Sequence, residues 1–372
     1  MKLAILTFTL QTNFGGILQA YALQTVLERM GHEVVHLQEK KKILPLHPIW
    51  KMPLVYIKRI IRKYLGEEKS LPVFMDPRKW IRMNTDAFID SYIHSRYLKN
   101  EDWNEQNMSI YDAIIFGSDQ IWRPLYAWPL ERFFGNFIET SSIKRIAYAT
   151  SFGTDENEFT DEQLQRCSSL LSHFKAVSVR EYSAVEICSK NFGVEATHVL
   201  DPTLLLSVEN YIELIKNKKV SASKGSLGVY VLDENKEVND FVKRLAIEKN
   251  LKPFSMGSKI EDGNASIMER QQPPVEQWLR AFYDAEFIVT DSFHGTVFSI
   301  LFHKSFICVG NRNRGMSRFN SLLSLFDLEE RLVDISHLKD LKFANINWEA
   351  VDEILFRERK KAISFLEMAL NL

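Results

Sequence analysis

Cysteine is scarce in this chain: Cys167, Cys188 and Cys308 are the whole supply among 372 residues. They are odd in number, far apart and in no CxxC pair, which argues against a disulfide framework and a thiolate zinc site and fits a reducing cytosol. Net charge is just as scarce. Lys plus Arg number 47 against 48 Asp plus Glu, a balance of −1, so no global field calls for nucleic acid and an anionic partner must be met by a local patch. Long apolar runs are missing too. The uncharged stretch from Leu3 to Leu27 opens like a signal peptide, with Lys2 ahead of an apolar 3–10. Gln11, Thr12, Asn13 and the Gly15-Gly16 pair break it well short of the roughly 20 apolar residues that a membrane span needs, and no convincing small-x-small cleavage site follows. It reads instead as a buried first strand leading into a helix, in a chain expected in the cytoplasm. No cluster of metal-ligand residues stands out.

What is present is an average globular mixture, 45% hydrophobic and 26% charged, in a chain long enough for two domains. Short apolar runs alternate with amphipathic stretches, the pattern of βαβ units on a parallel sheet. Strands are predicted at 3–8, 32–37, 111–116, 145–150 and 176–179, with another ending at Leu200. Helices are predicted at 16–30, closed by Gly31, and at 181–191. The pattern restarts after the Lys- and Ser-rich stretch 216–226, with strands at 227–232, 287–290 and 305–309, a helix at 295–302 and a long amphipathic helix at 348–370. The fold class is therefore α/β: a Rossmann-like domain over 1–215, a second over 226–345, and a closing helix in 346–372 that packs back on the first domain. This arrangement resembles the GT-B architecture, in which ligands meet between the two domains.

Several strand ends carry polar motifs. Ligands of open α/β sheets gather there, beside helix N-termini that offer free N–H groups. In Thr290-Asp291-Ser292-Phe293-His294-Gly295-Thr296, His294 stands where an imidazole can act as acid or base near neutral pH; the plainer alternative is that Asp291 or Ser292 caps the helix and His294 satisfies a backbone group. Arg180, ending Val177-Ser178-Val179-Arg180-Glu181, has the planar fork that suits a carboxylate or phosphate, or else it pairs with Glu181 or another acid. Asp119 follows Phe116-Gly117-Ser118 and can cap a helix or hold an acceptor hydroxyl. Asn13-Phe14-Gly15-Gly16 resembles a phosphate-cradling turn without being GxGxxG. Arg312, Arg314 and Arg318 lie within seven residues, a loop suited to anions. Finally, 40–63 holds eight basic residues and no acid. Leu54, Ile57, Ile61 and Tyr64 form a helical stripe within it, as in an interfacial helix or one packed on the domain.

In order, the segments Asn13-Phe14-Gly15-Gly16, Leu18-Gln19-Ala20-Tyr21-Ala22-Leu23, Phe116-Gly117-Ser118-Asp119-Gln120-Ile121-Trp122, Ser178-Val179-Arg180-Glu181, His198-Val199-Leu200-Asp201-Pro202-Thr203 and Asp291-Ser292-Phe293-His294-Gly295, together with 315–328, resemble the polysaccharide pyruvyl transferase family over most of 1–330. The resemblance implies transfer of the enolpyruvyl unit of phosphoenolpyruvate, as co-substrate and with no cofactor or metal, onto two hydroxyls of a sugar in a cell-surface or exopolysaccharide of a bacterium. It implies that His294 is the general acid or base and that Arg180 grips phosphate or carboxylate. Ser292, Phe293, Gly295, Arg312, Arg314 and Arg318 then fall on the donor side, and Asn13, Gly15, Gly16 and Asp119 on the acceptor side. One departure stands out. Many members carry Arg-Leu-His where this chain has Ser292-Phe293-His294, so one cation is missing, and Arg312, Arg314 or Arg318 is expected to replace it. The expected partners are a sugar or lipid-linked oligosaccharide, with 40–65 resting on the inner face of the membrane. The rival readings are a nucleotide-sugar glycosyltransferase of GT-B type and a non-catalytic carbohydrate-binding relative.

Overall fold

The computed structural model describes residues 1–40, 49–65, 76–233, 235–260, 262–310, 315–337 and 344–371. The apolar runs among them pair into two parallel sheets. The first contains β1 (Lys2–Leu6), β2 (Glu33–Glu39), β3 (Ser95–Leu98), β4 (Ala113–Asp119), β5 (Lys144–Thr150), β6 (Ala176–Val179) and β7 (Thr197–His198), in the order β3-β2-β1-β4-β5-β6-β7. Leu3, Ala4, Ile5 and Ile114 to Phe116 have essentially no exposure, because helices cover both faces of a parallel sheet and its central strands need apolar residues on both sides. The second sheet contains β8 (Leu227–Tyr230), β9 (Pro253–Ser255), β10 (Phe287–Thr290), β11 (Ser305–Val309) and β12 (Leu332–Val333), in the order β12-β11-β10-β8-β9. These are the two common doubly wound orders. Strand order reverses between β1 and β4 in one sheet and between β8 and β10 in the other, and the crevice outside each reversal is where such sheets bind ligands.

The helices that matter for the site start at those strand ends. Helix α1 (Phe14–Arg29) follows β1, and the Asn13 side chain caps it by accepting from Gly16 N at 3.1 Å. Met52–Tyr64 forms α2, Pro77–Tyr92 α3, Glu105–Met108 α4, Asp161–Leu171 α5, Tyr182–Phe192 α6 and Val208–Lys218 α7; Lys236–Glu248 forms α8 and Val275–Asp284 α9. Helix α10 (Phe293–Leu301) begins two residues earlier than its periodicity suggests, because Ser292 caps it by accepting from Gly295 N at 3.3 Å. Its neighbour Asp291 is committed elsewhere, to the backbone N–H groups of Leu232 at 2.7 Å and Asp233 at 3.1 Å. That same bonding ends β8 at Tyr230 rather than at Leu232, since both N–H groups turn away from the sheet. Helix α7 likewise extends into the stretch that reads as a linker, ending at Lys218.

The two sheets face each other across a bonded seam. Gln272 Nε2 donates to Thr12 O at 2.9 Å, Tyr182 N donates to Ser321 Oγ at 2.9 Å, and Phe14 stacks on Trp278 at 5.2 Å between centroids. After α11 (Ser317–Leu325), the last helix, α12 (Trp348–Asn371), closes the chain. It starts on the second domain, where Trp348 stacks on His303, and returns to the first. There Arg359 Nη2 donates to Leu206 O at 2.6 Å and Lys144 Nζ to Leu370 O at 2.8 Å. The expected class, two Rossmann-like domains in a GT-B-like arrangement with a closing helix, is the one observed.

Helix α2 is the exception to this packing. Leu54, Ile57, Ile61 and Tyr64 lie on one face and are 53–89% exposed, and Trp50 just ahead of them is 71% exposed. The apolar stripe read from the sequence is present and is turned to solvent.

Candidate functional site

The two strand-order reversals open on one cavity of about 290 Å³. Thr12, Asn13, Asp119 and Gln120 reach it from the first domain, and Ser292, His294 and Arg318 from the second. Asn13 and Ser292 are the caps of α1 and α10, and Arg318 sits in the first turn of α11, so three helix N-termini bring their positive ends to this space.

His294 occupies the first turn of α10 and is 7% exposed. Its Nε2 lies 3.6 Å from Asp201 Oδ2. The other side of the ring meets the start of α1: a Cβ placed on Gly15 would run into Nδ1 and Cγ of His294. Glycine at 15 therefore lets the first helix of one domain close directly onto the imidazole of the other.

Asp201 is the hub behind the cavity wall. Its Oδ1 accepts from Thr203 N at 3.0 Å and Thr203 Oγ1 at 2.6 Å, and its Oδ2 accepts from Arg180 Nη1 at 2.9 Å and Ser118 Oγ at 3.1 Å. Burial alone would raise its pKa, but the facing imidazole of His294, with the charge of Arg180 behind it, holds it well below the usual carboxylate range. Arg180 is the reciprocal case. Burial pulls its pKa down, and Asp201, Asp119 and Glu181 together hold it above the ordinary arginine value. Its Nη2 lies 3.6 Å from Asp119 Oδ1, and its guanidinium rests 4.7 Å from the centroid of the Phe293 ring. Arg318 sits against the same ring at 5.4 Å. Burial first, then repulsion from Arg180, lowers the Arg318 pKa to about 10, which leaves it cationic at neutral pH. Glu181, completely buried, has its pKa raised by burial. It accepts from Gly153 N at 3.0 Å and from Ser151 Oγ, fixing the loop after β5.

Asp119 ends β4 with φ +83°, a left-handed backbone that few non-glycine residues adopt. Such strain is concentrated at functional sites because the surroundings must over-determine it. Here the Asp119 carboxylate accepts from Gln120 N at 2.8 Å and faces Arg180.

Of the residues singled out by sequence, Asn13, Gly15, Gly16, Asp119, Arg180, Ser292, Phe293, His294 and Arg318 come together around this space. Gly295 does so only indirectly. A Cβ there would strike Thr290 Oγ1, so this glycine seats α10 on β10. Arg312 and Arg314 lie outside the described residues. The cation absent at Ser292 has a neighbour in Arg318, which lines the cavity. Asp201 was not among the site residues read from the sequence, nor was Gln272, which lines the cavity and bonds across the seam.

A family model described as polysaccharide pyruvyl transferase matches residues 13–313. No curated protein sequence matches the chain. Among solved structures, UDP-GlcNAc 2-epimerase from Neisseria meningitidis bound to UDP-GlcNAc is 8% identical with a TM-score of 0.47, over 99% of this chain and 94% of that one. Acinetobacter baumannii MurG is 11% identical with a TM-score of 0.46, over 100% of this chain and 99% of that one. E. coli ADP-heptose lps heptosyltransferase II is 12% identical with a TM-score of 0.37, over 96% and 99%.

Proposed function

The chain belongs to the polysaccharide pyruvyl transferase family, and we propose that it moves the enolpyruvyl unit of phosphoenolpyruvate onto two hydroxyls of one sugar of a cell-surface polysaccharide or its lipid-linked precursor. The products are a cyclic pyruvate ketal and phosphate. The observation that carries this reading is His294, backed by Asp201, in the wall of a cavity that Arg318 also lines.

The chemistry asks for three things. C3 of the enolpyruvate must gain a proton as a sugar hydroxyl attacks C2. The second hydroxyl must then displace phosphate at C2, its proton leaving with the phosphate. Phosphate and carboxylate must be held meanwhile. His294 takes the proton of the attacking hydroxyl and delivers one to C3, a role worth about 10²–10⁴-fold in rate. Asp201, held by Arg180, Ser118 and Thr203, lies 3.6 Å from Nε2 and orients the imidazole. Arg318 and the helix N-termini face the anionic groups of the donor. Arg180 is a positioning residue, since its bonds go to Asp201 and Ser118. No cofactor is needed besides phosphoenolpyruvate as co-substrate.

The direct test incubates the protein with phosphoenolpyruvate and a lipid-linked saccharide repeat unit. The expected result is one pyruvate ketal added to the acceptor by mass and one phosphate released. Acceptor modified only when a nucleotide sugar replaces phosphoenolpyruvate would overturn the reading in favour of glycosyl transfer.

Gly15→Ala probes the contact between domains. The new methyl group must displace the His294 ring or α1, and a displacement of about 1 Å near reacting groups can cost 10²-fold in rate. Phosphate release should fall by roughly that factor while phosphoenolpyruvate affinity, measured by calorimetry, stays near the parental value. Turnover within twofold of the parent would remove Gly15 from the site.

Among the described residues no helix is long and apolar enough to cross a membrane. Lipid-linked acceptors would be met instead by α2 lying on the cytoplasmic face of the membrane. The support is its exposed apolar stripe together with the acid-free basic stretch 40–63, which suits an anionic surface at about 1 kcal/mol for each basic residue close to it. Flotation with vesicles containing phosphatidylglycerol should recover the protein, less so as salt rises. Equal recovery with neutral vesicles would remove the electrostatic part.

A further inference from the structure

Beside the first cavity lies a second of about 240 Å³, outside the ends of β1 and β2. Phe8 and Tyr126 line both, so the two spaces are neighbours with a shared aromatic wall. The far wall of the second carries Trp103, Trp128 and Phe133, with the charged pair Glu39 and Arg132. Trp128 is 88% exposed and Tyr126 47%. Exposed aromatic rings at a cavity mouth are not explained by packing, and contiguous apolar surface of this kind marks a binding site.

The polar groups narrow the ligand. Arg132 is buried, holds its guanidinium 4.6 Å from the Trp103 ring, and donates to Asn100 Oδ1 at 2.9 Å. Its Nη1 lies 3.7 Å from Glu39 Oε1, so the cation is matched by an anion and the cavity carries no net charge from this pair. A phosphate or diphosphate would meet Glu39 at close range and be repelled. A neutral polyhydroxylated ring fits both halves of the wall: its C–H face lies on the aromatic rings, and its hydroxyls donate to Glu39 and accept from Arg132.

Building on the proposed transfer to a sugar, we infer that this second cavity is a saccharide subsite that holds the uncharged sugar next to the one being ketalised. The acceptor is therefore an oligosaccharide of at least two residues, and a monosaccharide fills only the first cavity.

The test is a binding titration, followed by tryptophan emission, with a panel of methyl hexosides and methyl N-acetylhexosaminides and the di- and trisaccharides built from them. No phosphoenolpyruvate is needed. The expected result is that at least one di- or trisaccharide binds roughly tenfold tighter than its component monosaccharides, the scale of one well-made aromatic contact. Trp128→Ala, a change at an exposed position, should abolish that difference while leaving the melting temperature near the parental value, and Glu39→Gln should reduce it. Equal affinity for single and linked sugars, no binding by any saccharide of the panel, or an undiminished preference in Trp128→Ala would overturn the inference. A Trp128-dependent preference without any phosphate release from phosphoenolpyruvate would leave the subsite standing and sink the proposed transfer instead.

Discussion

Asp201→Ala should cost the fold about 3–5 kcal/mol, read as a lowered midpoint in urea, because it takes from the buried Arg180 guanidinium its nearest anion and leaves Asp119 at 3.6 Å. The side chains of Asp201 and Arg180 are both 1% exposed. Removing the carboxylate also leaves Ser118 Oγ and both Thr203 donors without the acceptor they share. Asp201→Asn should recover part of the loss, since an amide oxygen still accepts from Thr203 but no longer neutralises Arg180. The double change Arg180→Met with Asp201→Leu should be more stable than Asp201→Ala alone, because a matched apolar pair carries no desolvated charge. The pH dependence has a definite sign. The folded pKa of Asp201 is depressed, so its contribution is present above the ordinary carboxylate value of about 3.9 and is lost as pH falls through its lower folded value. Acid unfolding below about pH 4 should therefore be shallower in Asp201→Asn than in the parent. A loss under about 1 kcal/mol in Asp201→Ala, the size of an ordinary surface ion pair, would show that the pair does not anchor this wall.

That hub also marks where sequence reasoning stops. His294, Arg180, Asp119 and the Asn13–Gly16 turn were legible because each follows an apolar run, and in a parallel sheet the C-terminal strand ends share one edge. The start of α10 was legible to within two residues, with its cap left open between Asp291 and Ser292. Asp201 follows β7, a two-residue strand that pairs only through Ser178↔Thr197 and Val179↔His198. A strand ending at Leu200 was readable, and 198–203 was among the segments that carry the resemblance, but nothing in them gave Asp201 a role at that edge. In the structure Asp201 also caps the turn at Pro202–Leu205, accepting from Thr203 N. The role of Arg180 was open for a related reason: a strand-end arginine can face a ligand or an acid, and only the β6–β7 pairing brings Asp201 within 2.9 Å of it. The wall of the second cavity was hidden differently. Trp103 and Trp128 come from irregular connections and Arg132 from the short 3-10 turn Leu130–Phe134, where no periodicity tells an inward side chain from an outward one. The amphipathic stripe of α2 was plain from spacing alone, but its full exposure was not, because the same stripe serves equally well as a packed face.

His294→Gln should keep the fold and much of the phosphoenolpyruvate affinity while turnover falls about 10²-fold or more. The ring sits between Asp201 and Gly15, and glutamine is long enough to fill much of that slot. Its amide can donate toward Asp201, so the Arg180–Asp201 pair keeps its partners and melting should shift little. What glutamine cannot do is accept a proton from a sugar hydroxyl and pass one to C3, and the rate loss follows from that alone. Donor affinity should be largely spared because Arg318 and the helix N-termini still line the cavity whatever occupies position 294. A packing role for His294 predicts the reverse: a lower melting temperature with turnover per folded molecule unchanged. Melting temperature, phosphoenolpyruvate affinity and phosphate release measured on one preparation separate the two. The comparison with Gly15→Ala sharpens it further. If the imidazole only fills space, the clash in Gly15→Ala should lower the melting temperature and leave turnover per folded molecule alone. If it moves the proton, both variants should lose rate, His294→Gln the more severely, because one misplaces the group and the other removes it. A folded His294→Gln protein with near-parental turnover would end the acid–base assignment.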